Sequence, residues 1–185
     1  MNRYGAILLI GAILSGPWPP ARAEEPSPRA VEAMRLIESD DLYQRELGFL
    51  RLEALREPAT IDAISRYLAH REPEVRAYSL RALAAVQGPA AAPVLLEALA
   101  KEKHPRVRRA ALLALEPLEP SDPQILRAFL KALRDRKPEV RMTAVDIVSR
   151  IDVPQAKEAI LVRNRRERDR DVRRVLALAM KRIGR

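Results

Sequence analysis

One of the chain's two histidines, His104, lies in the stretch KHPRVRRAALLAL (103–115), beside Arg106, Arg108 and Arg109. Histidine among arginines suggests a metal ligand or an anion-binding cluster. A zinc-type site needs two or three more ligands, and the chain has no cysteine. His104 therefore reads as a polar corner residue, and His70 as a structural replacement for an acid or a pH-sensitive contact. The histidines are followed by Arg71 and Pro105, so no His-Glu pair exists. Asp40-Asp41 and Glu116/Glu119 fall near expected helix ends, where carboxylates cap or face the dipole. No G-x-S-x-G elbow, P-loop or G-x-G-x-x-G occurs. The expectation is a chain that is not an enzyme, with no catalytic residue, metal or cofactor.

The run RNRRERDRDVRR (163–174) offers a different chemistry. Arg163, Arg165, Arg166, Arg168 and Arg170 would form a patch for an anionic lipid or a cell-envelope polymer, each arginine contributing roughly 1 kcal/mol toward an anionic membrane. The competing reading is a solvated corner of mixed charge.

The elements that must position these residues recur. REPEVRAYSLRAL (71–83), KHPRVRRAALLAL (103–115), RKPEVRMTAVDIV (136–148) and DRDVRRVLALAM (169–180) share one pattern. Val75, Val107, Val140 and Val172 recur every 32 or 33 residues, each followed by an arginine: Arg76, Arg108, Arg141, Arg173. Ser79, Ala111 and Ala144 keep a small residue three positions later; Leu176 departs. A weaker first copy aligns through Arg45 and Gly48. Val75, Ser79, Leu83 and Val86 form one helical stripe, and Ile61, Ile64 and Leu68 another. Nine of the fifteen prolines, from Pro58 to Pro154, mark the joints. The pattern predicts five helical hairpins, 28–56, 58–87, 89–118, 120–151 and 153–184, stacked as an all-α solenoid because no single hairpin buries its apolar face.

With P-x-V-R followed by a small residue, nearly all of 28–184 resembles the HEAT-repeat family in its short, phycobilisome-lyase-like form. The resemblance implies that an acid six positions before each repeat arginine pairs with a neighbouring repeat. That column reads Ser39, His70, Glu102, Asp135, Glu167, so a ladder of Arg76, Arg108, Arg141 and Arg173 is expected, with Asp135 among its acids, strongest around Arg108, Arg141 and Arg173 and doubtful at the N-terminal end. Some HEAT-like proteins are enzymes, including a di-iron hydroxylase that uses His-Glu pairs and bilin lyases. The missing pairs argue against the hydroxylase chemistry. The exposed face of the second helices would present a row of Ala77, Arg81, Arg109, Leu113, Met142, Asp146, Arg174 and Leu178, a mixture of arginine and apolar residues suited to protein recognition.

The N-terminus reads as a signal peptide (1–23), with Arg3, an apolar run from Tyr4 to Leu14 and Ala21-Arg22-Ala23 before the cleavage point, and a short linker 24–27. The run is too short for a bilayer needing ~20 residues. Without it, 24–162 balances to zero charge, and 163–185 holds ten basic and three acidic residues. These observations lead to an exported, non-catalytic HEAT-like scaffold, periplasmic or secreted, holding an unknown protein partner in its concave face. An envelope-associated protein with a basic end is the alternative, and a HEAT-like enzyme the third. Nucleic acid is not expected as a partner.

Overall fold

The computed structural model describes residues 25–118 and 122–184. The expected signal peptide, Glu119 and Pro120 lie outside the described residues. Those described form ten α-helices and no strand: α1 (Pro28–Ile37), α2 (Leu42–Leu55), α3 (Ile61–Ser65), α4 (Pro73–Gln87), α5 (Ala92–Lys101), α6 (Pro105–Leu115), α7 (Pro123–Ala132), α8 (Pro138–Val148), α9 (Pro154–Arg166) and α10 (Arg170–Ile183). Single 3-10 turns, Pro58–Thr60 and Gly88–Ala91, lead into α3 and α5.

Helix starts follow from the sequence. Proline is the first residue of α1, α4, α6, α7, α8 and α9, where a missing N–H removes nothing and its fixed φ suits the turn. Neither α2 nor α10 has this proline. There the Asp41 side chain accepts from Gln44 N at 2.8 Å, and Asp169 from Asp171 N and Val172 N at 3.0 and 3.1 Å. The column Asp41, Glu72, His104, Lys137, Asp169 is thus the N-cap column. Its members make a side-chain cap only where proline is absent, and Glu72, His104 and Lys137 make none. At the other end of α4, Gly88 takes φ 56° and ψ −135°, a conformation open to glycine.

Helices pair in sequence as hairpins, and the second helices pack edge to edge, α2 on α4, α4 on α6, α6 on α8 and α8 on α10. This is an all-α solenoid of five hairpins. Val75, Val107, Val140 and Val172 lie at its centre, fully buried. The small column sits where the two helices of a hairpin approach closest. A Cβ on Gly48 would lie 2.7 Å from Ile37 Cγ2 and 2.9 Å from the Ala33 carbonyl oxygen. One position further on, Phe49, Leu80, Leu112 and Val145 are buried between repeats. Burying such a side chain stabilises by about 1.5–3 kcal/mol. The last member of that column is Ala177, which is exposed.

Candidate partner-binding face and the ladder beside it

The repeat arginines of the second, third and fourth hairpins are held from two directions. The Nη1 groups of Arg76, Arg108 and Arg141 donate to the carbonyls of His70, Glu102 and Asp135, six residues back in the same corner, at 2.7, 3.1 and 3.0 Å. Their Nε and Nη2 groups grip the carboxylate of the following repeat. Arg76 takes Glu102 at 2.8 and 3.0 Å, Arg108 takes Asp135 at 2.8 and 2.6 Å, and Arg141 takes Glu167 at 2.9 and 3.0 Å. These parallel two-bond contacts fix the register of one hairpin on the next.

The acid column has a second task. Each member accepts the backbone N–H two residues ahead: Ser39 from Asp41, His70 from Glu72, Glu102 from His104, Asp135 from Lys137 and Glu167 from Asp169, at 2.8–3.2 Å. His70 and Ser39 perform this task but cannot receive an arginine. Arg45 turns instead to Glu72, through one bond of 3.2 Å, and its buried Nε has no partner among the described residues.

One expectation about the ladder, the place of Arg173, requires correction. The well-formed rungs begin at Arg76, since the acid comes from the next repeat. For the same reason Arg173, in the final repeat, is exposed and forms no rung among the described residues. Burial raises the Glu167 pKa, but hydrogen bonds from Arg141, Asp169 N and Arg163 outweigh that and hold it at about 2. Burial likewise works upward on Asp135, and Arg108 with Lys137 N carries it below the usual range. Arg76 is the main influence lowering Glu102.

Along the exposed face of the second helices, most charges of the expected row are already matched. Arg81 pairs with Glu53 at 2.9 Å, Asp146 with Arg150 at 3.0 Å and Arg182 at 3.5 Å, and Arg174 with Asp171 at 3.3 Å. Ala77 is buried and Met142 half-buried. Arg109 is exposed and enters no ion pair among the described residues. Leu113 and Leu178 are 43% and 63% exposed. The row also contains Leu50, 42% exposed, which sequence reasoning missed. It stands five residues after Arg45, as Leu113 stands after Arg108, so the weak first copy held the clue. Next to Leu113 a depression of about 370 Å3 opens between Arg81, Glu53, Gly88, Pro89 and Leu118.

The arginine patch at 163–170 is smaller than expected. Arg163 is half-buried and ion-paired with Glu167, one turn on, because that buried carboxylate needs charge on both sides. Arg165, Arg166, Arg168 and Arg170 remain exposed. His104 is half-buried at its corner, with Nδ1 unpartnered. No cluster of three or more acids or histidines suited to a metal occurs among the described residues.

A model of HEAT repeats matches residues 33–116 and 104–181, and so spans most of the chain. The chain belongs to the HEAT-repeat family. No curated protein matches it. Among solved structures, this HEAT solenoid is similar to a chain in the complex of CpcE and CpcF of phycocyanin lyase from Nostoc sp. PCC7120, with a TM-score of 0.67 and 23% identity, over 82% of this chain and 97% of that one. That finding overturns the expectation that the chain is not an enzyme. The expectation rested on missing motifs, which exclude only the chemistries those motifs serve. The same HEAT architecture stands within a lyase, so fold and absent motifs together give no ground for calling the chain non-catalytic.

Proposed function

We propose that this HEAT-repeat protein is one member of a two-protein assembly and holds its partner on the exposed face of its second helices. The observation that carries this reading is the surface around Leu113. An exposed leucine borders a depression of about 370 Å3, with unpaired Arg109 one turn away on the same helix and Leu50 and Leu178 along the row. Arginine is among the residues in which binding energy concentrates, and the leucine beside the pocket adds apolar area to bury. Charges elsewhere on the row are matched within the protein, which limits the electrostatic freedom of those positions. The similar solved structure is itself a complex of two chains, which supports a protein as partner.

The test is a photo-reactive residue at position 113, crosslinked in intact cells. A single stoichiometric protein partner should be captured, and Arg109→Glu should reduce capture at least tenfold. Capture of many proteins at equal low yield, or none, would count against the reading. The recovered assembly should then be assayed for a lyase activity. The segment 1–23 reads as an export signal, so the mature chain should begin at Glu24. Mass spectrometry of the protein from its native cell tests that, and an intact Met1 would refute it. Exposed Arg165, Arg166, Arg168 and Arg170 support a second contact, to an anionic surface. That contact should weaken steeply with salt, and salt-independent association would exclude it.

A further inference from the structure

A second docking surface lies on the other row of helices. The first helices pack together less closely than the second helices do, and α5 and α7 leave a groove of about 760 Å3 between them. Half-buried Leu96, Leu99 and Leu130 line it, and a smaller groove of about 350 Å3 between α7 and α9 continues it through Leu130 and Arg134.

The rim is unbalanced in charge. Two carboxylates reach the groove, Glu102 and Asp135, and both are held by the ladder arginines Arg76 and Arg108. Of the cations, Lys101 pairs with Glu97 at 2.8 Å and Arg136 donates to the Lys103 carbonyl at 2.7 Å. Lys103, Lys131 and Arg134 are exposed and find no acid among the described residues. Residues 24–162 carry equal numbers of acidic and basic groups, so this local excess is not a sample of a generally basic surface.

We infer that the α5/α7 groove receives an acidic amphipathic helix of a partner protein. Leucines recessed between two helices accept an apolar stripe in the helix-in-groove mode, while the three free cations face the carboxylates flanking that stripe. A membrane is the poorer match. Lipid binding needs apolar groups that protrude, and these leucines are half-buried. The site is separate from the surface around Leu113, so each can fail alone.

The experiment uses the full chain and a labelled 16-residue peptide, with leucines at i, i+3, i+4 and i+7 and glutamates on the other faces. Two controls are a permuted peptide of equal composition and a peptide with lysine replacing glutamate. The leucine/glutamate helix should bind at least tenfold more tightly than either control and protect the amides of α5 and α7 from hydrogen exchange. Charge reversal at the exposed positions, Lys103→Glu, Lys131→Glu and Arg134→Glu together, should weaken it at least tenfold, while Leu113→Glu should leave it unchanged. The inference is overturned by no binding, equal binding of the permuted peptide, binding unaffected by charge reversal, loss on Leu113→Glu, or preference for anionic phospholipid vesicles over the peptide.

Discussion

Glu167 is held by Arg141 from the preceding repeat, Arg163 from the last turn of α9 and the Asp169 N–H, with its side chain 1% exposed. Its pKa falls from an ordinary 4.5 to about 2 on folding. The stability it contributes is therefore complete above pH 4.5 and is lost as pH falls toward 2. That shift is worth ~3 kcal/mol. Urea unfolding at a series of pH values should show this loss for the native chain and a clearly flatter curve for Glu167→Gln; parallel curves would contradict the assignment. Arg108 and Asp135, 5% and 12% exposed, form a rung in which both partners are largely enclosed. Arg108→Ala strands a carboxylate beneath the corner and should destabilise the protein by about 3–5 kcal/mol. The double change Arg108→Met, Asp135→Leu should recover much of that loss, because it removes both charges together. A double-mutant cycle with no coupling would show that the rung is ornamental. The arginine and acid columns were legible in the sequence because each repeats with the period. The direction of pairing was not, since a column does not say which neighbour supplies its partner, and so Arg173 was mistaken for a rung.

At the level of the helix, the closest crossing sets the strictest demand. Gly48 on α2 faces α1, with the Ile37 backbone N 2.8 Å from where a Cβ would stand. Alanine is the better helix former by about 1 kcal/mol. Gly48→Ala should nevertheless lower stability by about 1–3 kcal/mol, because the contact is with backbone that must move. Thermal unfolding decides the sign, and a raised midpoint would mean that α1 shifts freely. The equivalent Ala111 and Ala144 tolerate a Cβ and are fully buried, so the column reads as one constraint met to different degrees. This was visible in the sequence as a run of small residues. The first helices were less legible. Their apolar positions recur weakly, α3 is a single short element, and the α5/α7 groove depends on how far two such helices stand apart. The cross-repeat pairs Arg81–Glu53 and Arg182–Asp146 also lie outside the repeating columns, so the row of candidate binding residues looked more charged than it is.

Across the whole molecule, stability is a sum over hairpins and the contacts between neighbours. Each interior hairpin needs a neighbour on either side. Phe49, Leu80, Leu112 and Val145 are buried in the interface column, and the ladder arginine of each repeat from the second to the fourth takes an acid from the next. The fifth hairpin breaks both dependences. Ala177 replaces the large apolar residue and stands exposed, Arg173 is solvated, and Asp171 and Asp169 give α10 a polar beginning. The fifth hairpin then covers the fourth as well as carrying a charged surface. Removing residues 153–185 would strip Arg141 of Glu167 and Ser149 of Arg182, and take α10 away from α8. The shortened chain would end on a hairpin built to be covered. It should unfold at a lower urea concentration and elute from a sizing column as a larger species than its mass predicts, because an exposed apolar edge associates. Restoring only α9 should rescue it little, since α10 makes most of the contact with α8. If the truncated protein were monomeric and as stable as the full chain, the fourth hairpin would be self-sufficient and the last would be free for binding alone.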